Sequence, residues 1–170
     1  VGVDLGTQST KVLVYDPEAR KVLAVSSAPH AIIQESDGTS EQEAQWWLDA
    51  LDDCMKKLPA ELRSQVSAIG VSGQQHGFVP LDAEGRPVYR AKLWNDTSTT
   101  RECKEITEAF GGRAALIAEV GNPMLPGYTA PKIRWLRNNR FDLYQKLSHI
   151  LLPHDYLNYY LTGRYTMEAG

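Results

Sequence analysis

The sequence predicts a mixed α/β fold led by antiparallel strands. Three observations carry that expectation. Strand-like runs separated by short turn signals fill the opening of the chain. A row of apolar residues at helical spacing follows them. Beyond that row, a hairpin pattern gives way to several helical segments, an order typical of mixed architectures.

Each element has its own justification. VGVD (1–4) reads as a buried strand, LGTQST as a turn, KVLVYD (11–16) as a second strand, PEAR as a turn and KVLAVSSAPH as a third strand. Ser40-Glu41-Gln42-Glu43 has the form of a capping box opening a helix. Trp47, Leu51, Cys54, Met55 and Leu58 then recur on one helical face, and Pro59 stops the run. VSAIGVSG (66–73) is a strand running into a glycine turn. GFVPLD, AEGRP and VYRAKLW form strand, turn and strand. A helix over 98–110 stops at Gly111-Gly112, and helical pieces follow over 129–138 and 141–147. HILLP (149–153) is a short strand, and HDYLNYYLTG is a helix ended by Gly163. No short-period repeat or low-complexity linker interrupts the order. Trp46, Trp47 and Trp135 sit at helical spacing and read as core, while His30, His149 and His154 lack a partner pattern and read as structural.

Bulk properties narrow the function classes. At 170 residues the chain is long enough for one domain that buries roughly 70% of its unfolded surface. The net charge of −3 and the lack of a basic run argue against nucleic acid. No apolar stretch reaches membrane-spanning length, and no signal peptide precedes the first strand. Cys54 and Cys103 lie in helix-like segments far apart in sequence, which suits a reduced, cytoplasmic protein, and no His/Cys spacing suggests zinc. Val1 already lies within a strand pattern and the chain stops at TMEAG, so the sequence reads as part of a longer protein.

Three stretches are rich in groups that bind ligands. In the first, Asp4-Leu5-Gly6-Thr7-Gln8-Ser9-Thr10-Lys11, Gly6 is expected to take positive φ and bring backbone N–H groups toward an anion. Thr7, Gln8 and Ser9 add donors and Lys11 adds charge. Asp4 would repel phosphate and so would act through Mg2+ and its water shell. An ordinary hairpin with turn-forming polar residues fits the same spacing. Walker and dinucleotide-binding loops do not, because both need a helix where 11–16 reads as strand. In the second stretch, VSGQQHGFVPLD, Gln74, Gln75 and His76 follow a strand between two glycines, a setting for polyol contacts or for a solvated turn. In the third, LWNDTST, Trp94 offers a face for a sugar and Asn95 and Asp96 offer polar groups. The alternative is a core Trp94 with Asp96 or Ser98 as a helix cap.

Taken in order, these stretches resemble the FGGY family of carbohydrate kinases, and within it the xylulokinases. GNPMLPGYTAPKIRWL (121–136) and ILLPHDYLNYYLTGRYTMEAG (150–170) resemble later signatures of the same family. The resemblance implies an actin/hexokinase-like (ribonuclease H-like) ATPase domain, a mixed sheet with flanking helices, as the first part of a two-domain kinase. Residues 1–170 would form an incomplete N-terminal domain. It implies ATP and Mg2+, with Asp4 holding the Mg2+–nucleotide through water and Gly6, Thr7, Gln8, Ser9 and Lys11 lining the phosphates. It further implies that Gln75 and His76 contact a ketose, with Trp94 and Asp96 close by. The loop departs from the xylulokinases at Gln75, where Met is common. The general base, an Asp in a Gly-Asp-Asn-type segment, and the adenosine site would lie beyond Gly170. The implied reaction is phosphorylation of D-xylulose to D-xylulose 5-phosphate. Glycerol, gluconate, ribulose or a deoxy sugar are alternative substrates. A non-enzymatic actin-like nucleotide switch or a plain sugar-binding module are alternatives of another class. Expected partners are a small-molecule sugar and ATP, not nucleic acid or a membrane, and a homodimer is compatible with the sequence.

Overall fold

The computed structural model describes residues 1–167, so the expectation for Glu168–Gly170 lies outside the described residues. The chain divides into two compact units: residues 1–32, 42–75 and 151–167, and residues 33–41 and 76–150.

The first unit is built on a meander of β1 (Gly2–Leu5), β2 (Ser9–Asp16) and β3 (Lys21–Pro29), to which β6 (Gly70–Gly73) is added. The strand order is β3-β2-β1-β6. β1–β2 and β2–β3 are antiparallel and β1–β6 is parallel, so the sheet is mixed, as the resemblance implies. Alternation sets its faces: Val3, Leu5, Thr10, Val12 and Val14 point into the core, and Asp4 and Lys11 point outward. The strand predicted over 66–73 is shorter, because its partner β1 begins at Gly2, opposite Gly70.

Helix α1 (Ala44–Lys57) packs across β2 and β3. Of the row read from the sequence, Trp47, Leu51, Cys54 and Leu58 are buried and Met55 is half-buried, and Leu48 joins them. Fully burying side chains of this size stabilises by about 1.5–3 kcal/mol each. Asp53 and Lys57 pair one turn apart at 2.7 Å on the exposed face. Leu58 is extended, as expected of the residue before Pro59. The predicted capping box is not formed. Ser40–Gln42 is instead the short strand β5, antiparallel to β4 (Ile33–Gln34), and the N-cap Glu43 makes no side-chain cap bond. The polar side chains that would have capped the helix are taken by tertiary partners. Helix α2 (Ala60–Arg63) is a single turn, and α7 (Pro153–Thr162) begins with proline, packs on β6 and ends at left-handed Gly163. Tyr156 of α7 meets Trp47 edge-on at 6.4 Å.

The second unit carries β7 (Val79–Leu81), β8 (Ala91–Lys92), β9 (His149–Leu151, its last residue assigned to the first unit) and four helices: α3 (Thr100–Ala109), α4 (Arg113–Val120), α5 (Thr129–Asn139) and α6 (Phe141–Tyr144). The predicted hairpin is present, with Phe78 opposite Lys92 and Leu81 opposite Pro87. α4 escaped the sequence reading. Its eight residues lie between left-handed Gly112 and Gly121, and they bury Leu116 alone, too little to show helical periodicity. α5 packs on α3 through Arg134 and Glu105 (2.8 Å) and through Asn138 with Glu102 and Glu105. Cys54 and Cys103 are free and buried in α1 and α3. Among the described residues no helix is long and apolar enough to cross a membrane.

Gly73 is a point of close packing in the first unit. A Cβ there would lie 2.8 Å from the Leu5 carbonyl and 3.3 Å from the His154 Cβ. Gly73→Ala must therefore push β6 from β1, and chemical denaturation is expected to show a loss of about 1–3 kcal/mol. An unchanged midpoint would mean that the strands separate at no cost.

Candidate functional site

The β1–β2 bend is a tight hairpin. Leu5 pairs with Thr10, the Gly6 N–H donates to the Ser9 carbonyl at 3.1 Å, and Thr7 and Gln8 form the tip. Gly6 is not among the positive-φ residues, which corrects the expectation of a left-handed glycine. Close approach is what favours glycine here, since a Cβ would lie 3.1 Å from the Ser9 carbonyl. Asp4 is exposed and stands in register with Lys11 on one side and Ser72 on the other, so the three share the outer face of the sheet. Gln8 is exposed, and Thr7 and Ser9 are half-buried.

The bend is held from inside the first unit. The Gln42 Nε2 donates to the Thr7 carbonyl (2.9 Å) and the Ala31 carbonyl (2.7 Å), and lies 2.9 Å from His30 Nδ1. The His30 N–H donates to the Gln8 carbonyl at 3.1 Å. Gln42 Oε1 accepts from the Trp47 indole N–H at 3.0 Å. Gln42 and His30 were missed as parts of the site, because a buried amide far along the chain leaves no spacing signal.

In the second unit, Trp94 is 50% exposed at the tip of its loop, so it is not core. Asp96 is fully buried. Its Oδ2 accepts from Lys92 Nζ (2.9 Å) and from the Ser40 N–H (2.9 Å). Its Oδ1 accepts from the Ser98 hydroxyl (2.7 Å) and the Ser98 N–H (3.1 Å). Lys92, also fully buried, donates further to Glu41 (2.9 Å) and Ser98 (3.1 Å) and sits 4.1 Å from the Trp135 ring centre. Asp96 is thus a buried group that ties the Trp94 loop to Lys92, Ser40 and Ser98. Neither Asp96 nor Ser98 caps α3, whose N-cap is Thr99 without a side-chain bond.

Gln75 and His76 are exposed, whereas Gln74 is buried. Gln75 lines an open depression of ≈ 430 Å³ in the first unit, shared with Ser72, His154, Asp155 and Asn158. His76, in the second unit, has φ +58°, and its ring lies 5.0 Å from that of Tyr128. The His76 carbonyl accepts from Lys132 Nζ (2.7 Å) and Thr129 Oγ1 (3.2 Å). Asp4, Gly6, Thr7, Gln8, Ser9, Lys11 and Gln75 therefore belong to the first unit, and His76, Trp94 and Asp96 to the second. Among the described residues no group of three or more His, Cys, Asp or Glu side chains gathers to hold a metal ion. One exposed carboxylate, Asp4, fits the water shell of a phosphate-bound Mg2+ better than a protein cage.

Two measurements test the support of the bend. Gln42→Leu leaves the Trp47 indole N–H and the Thr7 and Ala31 carbonyls without this partner. A stability loss of about 2–3 kcal/mol is expected from urea denaturation, with faster hydrogen exchange across 6–9. Burial holds the His30 imidazole below its ordinary pKa of 6.5. The unfolded chain therefore takes the proton first, so the stability contributed by neutral His30 is complete above pH 6.5 and declines as pH falls through the lowered folded value. His30→Asn should flatten this acid limb; an unaltered limb would assign it to other groups.

Comparison with known proteins extends these observations. The profile of the FGGY family of carbohydrate kinases, N-terminal domain, matches residues 1–170. A xylulose kinase of Haemophilus influenzae is 43% identical over all of this chain and 36% of its own length. A xylulose kinase of Lactococcus lactis is 39% identical over 99% of this chain and 34% of its own length. The solved structure of a xyloylose kinase from Brucella ovis superposes with a TM-score of 0.88 at 37% identity, covering 96% of this chain and 34% of that one. The chain spans about a third of the length of the curated relatives it matches. The fold is accordingly the opening of the actin/hexokinase-like architecture, and this chain belongs to the FGGY family of carbohydrate kinases, in the part that forms the N-terminal domain.

Proposed function

We propose that these residues serve an ATP-dependent kinase that phosphorylates a ketose hydroxyl, with D-xylulose as the substrate and D-xylulose 5-phosphate as the product. The observation that carries this reading is the likeness, along the whole chain, to proteins described as xylulose kinases. Exposed Gln75, His76 and Trp94 are compatible with it, since hydroxyls need donors and acceptors and the C–H face of a carbohydrate needs an apolar plate.

In this proposal the β1–β2 bend receives the ATP phosphates. Gly6, Thr7, Gln8 and Ser9 offer N–H and hydroxyl donors, and Lys11 adds a positive charge. Asp4 orients the water shell of Mg2+, which, when bound with ATP, neutralises phosphate charge. Gln75 and His76 hold sugar hydroxyls and Trp94 covers the carbon skeleton, while Asp96 acts through the placement of Trp94. Phosphoryl transfer relies on such positioning and charge stabilisation more than on covalent chemistry. The carboxylate expected to take the hydroxyl proton lies beyond Gly170. The protein is proposed to work in the cytoplasm as a soluble enzyme.

Three outcomes test the proposal. The 170-residue chain alone, given ATP, Mg2+ and xylulose, should form no ADP in a coupled assay, and turnover would place the base within these residues. In the full-length protein Asp4→Ala should lower kcat by roughly 10²–10⁴-fold while xylulose binding, read by calorimetry, stays nearly unchanged; equal loss of both would make Asp4 structural. His76→Ala should weaken xylulose binding by about 5–100-fold and leave ATP binding intact. A panel with glycerol, gluconate and ribulose decides the substrate, because Gln75 adds a hydrogen-bonding amide to the loop.

A further inference from the structure

We infer that Lys132, at the start of α5, is a positioning residue for the sugar loop: its side chain holds the His76 carbonyl and so fixes the backbone that presents the His76 ring. The inference rests on the function proposed above. It gives a role to a residue of the GNPMLPGYTAPKIRWL stretch for which the sequence supplied only a resemblance.

The backbone of His76 is the starting point. At φ +58° a residue with a Cβ sits in the left-handed region, which is strained and persists only where neighbours enforce it. Here the first turn of α5 enforces it. Lys132 Nζ and Thr129 Oγ1 both donate to the His76 carbonyl, at 2.7 and 3.2 Å. The Tyr128 ring packs on the imidazole with centres 5.0 Å apart. One carbonyl thus accepts two side-chain donors, and one ring is braced by another, at a residue that is itself exposed.

The second observation is what Lys132 lacks. It is fully buried, yet among the described residues no carboxylate pairs with it, and its bonds go to the carbonyls of His76 and Gly127 (2.6 Å). Lys92, the other fully buried lysine, sits between two carboxylates. Burial without an ion pair is costly for an ammonium. It lowers the Lys132 pKa to about 7, with Asp96 and Cys103 opposing the shift and Lys92 adding to it. Support of the fold alone is met by an apolar side chain at less cost, so an amine here is explained by the two carbonyls it holds. Gly127 in turn lies against the Trp94 backbone, where a Cβ would fall 2.6 Å from the Trp94 carbonyl. One amine therefore ties the chain at His76 to the segment packed on the Trp94 loop.

The test uses the full-length protein with xylulose, ATP and Mg2+. Lys132→Met keeps the length of the side chain and removes its donors. It is expected to raise the xylulose KM about tenfold or more, to leave the ATP KM within about twofold, and to speed amide exchange across 75–78. Thr129→Val removes only the second donor and should raise the xylulose KM by about 2–5-fold; it also serves if Lys132→Met fails to fold. An unchanged xylulose KM in either folded variant, or parallel rises in both KM values, overturns the inference while the proposed function stands. If the wild-type protein does not bind xylulose, the proposed function falls. Exchange across 75–78 then decides the hold by itself: acceleration in the variants supports it and unchanged protection overturns it.

Discussion

The Gln42 amide is the constraint on which the first unit's bend depends. An indole N–H only donates, so Trp47 fixes the amide oxygen toward itself and the amide nitrogen toward the Thr7 and Ala31 carbonyls and His30. Trp47 is in turn fixed by full burial in α1. A chain of causes follows: apolar periodicity makes the helix, the helix seats the indole, the indole orients the amide, and the amide sets the carbonyls of the turn. With the Thr7 and Gln8 carbonyls drawn inward by Gln42 and His30, the acceptors that would repel an anion are engaged within the unit.

The second unit uses its buried charges in two ways. Lys92 is neutralised where it lies, by Glu41 and Asp96, with the Trp135 face beneath it. Such a cluster contributes little net stability compared with an apolar core, but breaking it strands a charge, so it specifies one arrangement of the loop that carries Trp94. Lys132 donates its hydrogen bonds to the carbonyls of His76 and Gly127 rather than to a carboxylate. The contrast separates a lysine that locks a loop through ion pairs from one whose donors are directed at a particular backbone conformation.

Much of the fold was legible because it follows from local pattern. The meander, the apolar row of α1, the hairpin bridged at Phe78–Lys92 and the glycine stop at Gly163 are set by alternation, helical spacing and turn residues. The failures share one cause. Ser40 and Gln42 read as a helix start because a capping box is a local signal, but their polar groups bond to Asp96 and to Thr7 and Ala31. Asp96 read as a polar group or helix cap, yet it is fully buried and paired with Lys92 at the end of β8. Gly6 was read for its φ when its value lies in close approach to Ser9. Composition could point to Asp4, His76 and Trp94; the groups that hold their surroundings are chosen by tertiary contacts that no spacing encodes.

Exposure divides these residues by task. Asp4, Gln8, Lys11, Gln75, His76 and Trp94 face solvent, while Gln42, Lys92, Asp96 and Lys132 are buried. A single exposed apolar residue is ordinary on a protein surface. Trp94 differs because its loop is anchored on both flanks: Leu93 N–H donates to Ser40 (2.9 Å), Thr97 N–H to Gly38 (2.9 Å), and Asp96 enters the buried ion cluster. Burying an indole is favourable, and a loop without such anchors would let it fold inward. Trp94 is thus held outward by backbone bonds on both flanks of its loop and by the buried Asp96 between them.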